Sequence, residues 1–275
     1  MSGTMLPPLL LVGGGKMGGA MLAGWLEQGL SPSVVVDPAP AARALAGPAV
    51  TVVDSVSALP PGFEPGCVVL AVKPQQADAV LPGLARFAGR AVFVSIMAGR
   101  GVSGLLAALG GASPGDPVQA AIVRAMPNTP AAIRRGITVA FAGPGVSAGQ
   151  RGLADALLSA VGEVAWTTDE TLIDPVTALS GGGPAYVFLL AELLEQAGLQ
   201  QGLPADLARR LARATVAGSG ALLAASHEDA VALRVAVTSP NGTTERALAV
   251  MMAEWPDTIS RAIAAATARS RELGA

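Results

Sequence analysis

Hydroxyls, a proline, an asparagine and a glycine crowd together at Val237-Thr238-Ser239-Pro240-Asn241-Gly242-Thr243-Thr244, between two alanine-rich segments of helical pattern. A helix starting near Thr244 or Glu245 presents unpaired backbone N–H groups and the positive end of its dipole to this turn. Ser and Thr add hydroxyl donors, and Gly242 lets a ligand approach the backbone closely. The chemistry available is capture of a small carboxylate. The plainer reading is a helix–turn–helix corner with a Ser/Thr cap, and the rest of the chain decides between the two.

A second cluster lies near the start. Leu9-Leu10-Leu11-Val12 runs into Gly13-Gly14-Gly15-Lys16-Met17-Gly18 and then into the helix-patterned Ala20-Met21-Leu22-Ala23-Gly24-Trp25-Leu26. Strand, glycine turn and helix in this order predict a dinucleotide-binding G-x-G-x-x-G. Gly13 makes the tight turn, Gly15 admits the pyrophosphate and Gly18 lets the helix pack on the strand. Asp37 closes the next strand, where a carboxylate accepts from the adenosine ribose and repels the 2′-phosphate of NADP. The cofactor is therefore NADPH or NADH, with Asp37 leaning to NADH; the other reading of Asp37 is a cap on the following helix, with Pro38 at its start.

The elements that must position these groups alternate along the first half. Apolar runs at 34–36, 50–53, 67–72, 91–96, 137–142 and 164–166 are separated by loops or helix-length segments. That alternation predicts an α/β fold, a Rossmann-type doubly wound parallel sheet over residues 1–166. Loops after its strands line the ligand crevice: Ala71-Val72-Lys73-Pro74, then Met97-Ala98-Gly99, then 125–130 with Asn128 between Pro127 and Pro130. Lys73 reads either as a solvated lysine or as a contact to cofactor phosphate or ribose. Asn128 reads as catalytic or purely structural. From 167 to 275 the pattern is helical and broken by Gly and Pro, with helices expected at 245–252 and 257–273. Small residues at helical spacing (Ala214, Ala217, Gly218, Ala221) suit close helix packing and a homodimer through this half.

Composition excludes several classes. A net charge of −2 with few aromatics leaves no basic, ring-bearing surface for nucleic acid. Half the residues are hydrophobic and mean hydropathy is +0.52, yet no uninterrupted apolar run approaches the roughly 20 residues of a membrane span. Cys67 is the only cysteine and His227 the only histidine, so neither a disulfide nor a transition-metal site is expected. With no basic, apolar leader before the first strand, the expected compartment is the cytoplasm.

Taken in order, 13–18 with Met17, 71–74, Arg124-Ala125-Met126-Pro127-Asn128-Thr129-Pro130, 180–188 and 239–244 resemble pyrroline-5-carboxylate reductase along essentially the whole chain. The resemblance implies reduction of 1-pyrroline-5-carboxylate to L-proline, the final step of proline biosynthesis, by an NAD(P)H Rossmann domain and an interlocking helical domain, with rings of dimers in the family. It implies that Thr244 hydrogen-bonds the ring nitrogen, and that Ser239 with the backbone of Gly242, Thr243 and Thr244 holds the substrate carboxylate. The cofactor would lie over Gly15, Lys16 and Met17, over 71–74 and over 97–99. Three positions depart from the family: Asn241 stands for a usual Gly, Lys16 for a common Asn, and Val235 for a common acidic residue. Two alternatives share part of the pattern. A β-hydroxyacid dehydrogenase needs a lysine from the helical half, and none follows Lys73; a non-catalytic NAD(P)H-binding regulator would lack the turn at 239–244.

Overall fold

The structure, a computed structural model, describes residues 5–110 and 119–274. Its strands and helices are β1 (Leu9–Val12), α1 (Lys16–Gln28), β2 (Ser33–Val36), β3 (Val50–Val53), β4 (Cys67–Leu70), α2 (Ala77–Leu84), β5 (Val92–Ser95), α3 (Val102–Leu109), β6 (Ala121–Met126), β7 (Gly136–Ala142), α4 (Ala148–Ser159), β8 (Gly162–Thr167), α5 (Ile173–Val176), α6 (Gly183–Gln200), α7 (Ala205–Ala225), α8 (Ala230–Ala236) and α9 (Thr243–Gly274). They form two compact units, residues 1–181 with 266–275, and residues 182–265.

In the first unit eight strands make one sheet in the order β3-β2-β1-β4-β5-β6-β7-β8. The strands β1, β2, β4 and β5 are four buried residues each, apolar but for Ser33 and Ser95, as suits strands covered on both faces. One apolar cluster, with Met21, Trp25 and Leu157, lies on one face of the sheet; another, with Leu81, Leu105 and Phe93, lies on the other. Trp25 Nε1 donates to Leu157 O at 2.8 Å, which locks α1 to α4. A capping box between Ser147 and Gln150 starts α4.

The sheet is parallel from β3 through β6, and β7 then pairs antiparallel with β6. The short link at 127–135 is the reason, because a parallel return needs a long crossover. β8 follows the helical crossover α4 and pairs parallel to β7. Expectation named no strand at 121–126, where Arg124 interrupts the apolar run; β6 occupies it.

The second unit is helical. In place of the first Gly/Pro break a five-residue π turn, Thr177–Gly181, leads into it, and Pro184 opens the first turn of α6. One further expectation is corrected. Helices at 245–252 and 257–273 are one continuous α9 with Pro256 inside it. Proline there removes one hydrogen bond but leaves the flanking turns intact. The continuous helical stretch Glu170–Gln200 is long and apolar enough on average to cross a membrane by length and composition, without containing an uninterrupted apolar run of that length. Glu192 and Glu195 interrupt this segment, which stays apolar on average.

Candidate functional site

The nucleotide turn is built by three glycines with three different tasks. Gly13 has φ +102°, and a Cβ there would come within 2.6 Å of the Ala71 backbone, so the turns after β1 and β4 touch. A Cβ at Gly18 would collide with the carbonyl oxygen of Gly13. Gly15, the N-cap of α1, is the opposite case: it is exposed, and a Cβ would meet nothing within 4 Å. Open space in front of a helix N-terminus, between two strand ends at the point where the strand order reverses, fits a dinucleotide pyrophosphate.

Lys16 is the first residue of α1 and Lys73 caps the turn after β4; both are exposed, and neither makes an ion pair among the described residues. Met17 packs its side chain toward the core, which leaves its backbone at the helix start for a ligand. Asp37 Oδ2 accepts the Gly14 N–H at 2.7 Å and Oδ1 accepts the Ala39 N–H at 2.8 Å. The cap reading of Asp37 is not met, because the next helical turn starts at Pro40 with Ala39 as its N-cap; the carboxylate instead braces the glycine turn. Arg43, the nearest cation by sequence, leans instead towards Asp54 at 3.5 Å on the surface. A cleft of about 520 Å³ opens beside these groups, lined by Val12, Val36, Pro38, Val72, Gln75 and Ser55 among others.

Two further loops reach the same strand ends. Pro74 lies half-buried after β4 and Ala71 and Val72 are half-buried beside the cleft. In the loop after β5, the Met97 side chain is buried in the core, so only its backbone can meet a ligand, while Ala98 is half-exposed and Gly99 takes φ +72°. Arg100, which sequence reading passed over, ties this loop to the preceding one: Nη2 donates to Asp78 Oδ2 at 2.7 Å and to Pro74 O at 3.3 Å. Asn128 is buried, and its Oδ1 accepts the Ile137 N–H at 3.0 Å, which fixes the start of β7.

The corner at 239–244 lies in the helical unit. Gly242 N–H donates to Ser239 O at 3.0 Å, closing the turn. The donors left at the start of α9 are therefore the N–H groups of Thr243, Thr244 and Glu245, with the exposed hydroxyls of Ser239, Thr243 and Thr244 nearby in the turn. A Cβ at Gly242 would crowd Ser239 O at 3.0 Å. Asn241 has φ +59°, the left-handed conformation in which glycine is usual and asparagine tolerated, and its N–H donates to Glu245 Oε2 at 2.7 Å. Asn241→Ala should therefore cost about 1 kcal/mol, read as a melting temperature lowered by about 2–4 °C, whereas Asn241→Gly should leave it unchanged. Equal melting temperatures for both variants would contradict the strain argument.

Other candidates fall away on geometry. Cys67 is fully buried in β4, and burial pushes its thiol far above the ordinary range, so it is no nucleophile. Among the described residues no cluster of His, Cys, Asp and Glu could hold a metal ion.

Comparison with known proteins matches residues 170–273 to a family described as pyrroline-5-carboxylate reductase dimerisation, and residues 9–99 to one described as NADP oxidoreductase coenzyme F420-dependent. The chain is 39% identical to the pyrroline-5-carboxylate reductase of Pseudomonas aeruginosa over 97% of both chains. It is 34% identical to that of Haemophilus influenzae over 96% of this chain and 97% of the relative. Among solved structures, a pyrroline-5-carboxylate reductase from Coxiella burnetii superposes with TM-score 0.86 at 32% identity, covering 98% of this chain and 99% of the other. The Plasmodium falciparum pyrroline carboxylate reductase with NADP bound gives 0.82 at 25% identity, covering 99% and 100%.

Proposed function

This chain belongs to the pyrroline-5-carboxylate reductase family, and from that membership we infer an NAD(P)H-dependent imine reductase that converts 1-pyrroline-5-carboxylate to L-proline, the last step of proline biosynthesis. Its substrate is a small molecule and it is an oligomer through the helical half, where the dimerisation family matches. That role also accounts for the apolar side chains that a single chain leaves exposed on α6, among them Val187, Phe188 and Leu189. In this reading residues 1–166 bind the dinucleotide, and 167–275 bind the substrate and the partner subunit. Dimers assemble further into a ring, which a molar mass from light scattering would test. The compartment is the cytoplasm.

The observation that carries the cofactor site is the open space at Gly15 beside the braced carboxylate of Asp37. Gly13, Gly15, Lys16, Met17 and Gly18 hold the pyrophosphate, Asp37 the adenosine ribose, 71–74 and 97–99 the middle and nicotinamide end, and the amide nitrogen of Asn128 the last of these. When bound, the reduced nicotinamide supplies the hydride. A protonated cyclic imine is already electrophilic, so the chain need not deliver a strong acid; it must orient the ring and hold its carboxylate at near-attack geometry. Thr243 and Thr244 N–H with the Ser239 hydroxyl take the carboxylate, Gly242 keeps the turn narrow enough for close approach, and the Thr244 hydroxyl meets the ring nitrogen. This explains a substrate corner without Cys, His or Lys.

The hydroxyacid dehydrogenase alternative lacks its lysine, and a non-catalytic regulator would not need the intact corner. Oxidation of NADH with pyrroline-5-carboxylate, and no reduction of NAD with β-hydroxyacids, is the expected pair of results; the reverse pair would overturn the assignment. Asp37 leans the enzyme to NADH. Asp37→Asn keeps an acceptor for the Gly14 N–H and removes the charge, so the ratio of kcat/KM with NADPH to that with NADH should rise about tenfold as repulsion of a 2′-phosphate disappears. An unchanged ratio would remove Asp37 from cofactor selection.

A further inference from the structure

Arg124 lies inside the apolar strand β6, beside Ser95 of β5, with 5% of its surface exposed. Burying a guanidinium costs several kcal/mol unless well-placed acceptors surround it. Here the placement is poor. Nη1 is 3.3 Å from Glu170 Oε1, Nη2 is 3.6 Å from Asp174 Oδ1, and Nε is buried without an acceptor. An apolar residue of similar size would serve stability as well or better, so the arrangement calls for another explanation.

Each carboxylate is engaged with a second chain segment. Glu170 Oε1 also accepts the Val102 N–H at 2.7 Å, at the first residue of α3, directly after the loop 97–101. Asp174 Oδ1 accepts the Ser270 hydroxyl at 2.8 Å, in the last turns of α9. Those two segments meet at Gly99: a Cβ there would come within 3.0 Å of Leu273, and a Cβ at Gly274 within 2.7 Å of Gly99 O. A cleft of about 360 Å³, open to solvent, is lined by Arg124, Glu170, Asp174, Gly99 and Arg271. Met97 anchors this loop in the core, while its 99–102 end is held by charge and by backbone contact with α9.

We infer that Arg124 is a positioning residue for the cofactor: acting through Glu170 and Asp174, it sets the backbone of 97–99 at the height where the nicotinamide ribose rests. The inference depends on the reading above of 97–99 as the loop at the nicotinamide end. Without the guanidinium, two neighbouring carboxylates repel each other, Glu170 is drawn off the Val102 N–H, and the loop loses its lower support. Arg124 itself touches neither cofactor nor substrate in this account.

The test compares NADH with ADP, which lacks the nicotinamide and the ribose that carries it, on the oligomer. In Arg124→Met the Kd and KM for NADH should rise about tenfold, while the Kd for ADP and the KM for the imine stay constant. Arg124→Lys, which keeps the charge, should recover part of the loss. A merely structural role would lower the active fraction and leave each constant where it was. Equal weakening of both ligands, or no weakening of either in the folded variant, overturns the inference. Should Arg124→Met fail to fold, Glu170→Gln keeps the size and an acceptor for Val102 and is held to the same selective loss of NADH. Ala98→Phe in the otherwise native chain separates the two layers. Selective loss of NADH there upholds the loop reading, so that intact NADH binding in Arg124→Met then removes Arg124 alone. Normal NADH binding in Ala98→Phe removes the loop reading and the inference together.

Discussion

Replacing Gly15 by valine should weaken NADH binding about 100-fold, the loss of roughly two charge-assisted hydrogen bonds at about 1.5 kcal/mol each, while the melting temperature stays where it is. The two halves of this expectation come from one fact. Gly15 has φ −65° and ψ −168°, a backbone any residue adopts, and nothing of the protein lies within 4 Å of the position its Cβ would take. Its neighbours in the motif differ. At Gly13 a side chain would drive into the Ala71 backbone, and at Gly18 into the Gly13 carbonyl, so substitution there should cost folding itself. A glycine that the fold does not require, in a turn where the flanking glycines are required, is explained by a ligand that needs the room. Gly15→Val with unimpaired NADH binding would show that the pyrophosphate lies elsewhere.

Thr244→Ala should lower turnover by about 100-fold, the scale on which removal of one oriented donor at a reacting centre acts, with NADH affinity unchanged. Thr244 is the second residue of α9, exposed, and next to the unpaired N–H groups that begin the helix. Its hydroxyl is the group proposed to meet the ring nitrogen, and orientation of that ring is most of what the chain contributes to the barrier. Thr244→Ser should retain most of the rate, since the hydroxyl survives and only a methyl is lost. Full activity in Thr244→Ala would leave the corner as a carboxylate receptor without a catalytic group. A fall confined to KM for the imine would say the same.

Local patterns made much of this molecule legible. The runs at 9–12, 33–36, 50–53, 67–70 and 92–95 are short, apolar and bounded by Gly or Pro, so each strand advertises itself within a few residues. The glycine turn and the hydroxyl-rich corner carry their signals in the same way, because helix starts and tight turns are set by neighbouring φ/ψ and by caps. Even the left-handed Asn241 was marked in advance, as an Asn where the family carries Gly.

What escaped is what depends on distance along the chain. Arg124 carried one visible mark, a charge inside an apolar strand, but its partner Glu170 lies 46 positions away, and nothing in either segment names the other. Glu170 reaches Val102 across 68 positions and Ser270 reaches Asp174 across 96. The antiparallel turn of β7 follows from the short link before it only once β6 is recognised as a strand. Likewise the burial of the Met97 side chain, the use of the Gly242 N–H to close its own turn, and the passage of α9 through Pro256 are settled by packing around each group. The sequence alone thus determined where most turns, strands and helix starts lie, β6 and the passage of α9 through Pro256 excepted, since those rest on the preferences of adjacent residues. The tertiary structure alone decided which charges are buried together and which donors remain open, because desolvation and pairing exist only after remote segments meet.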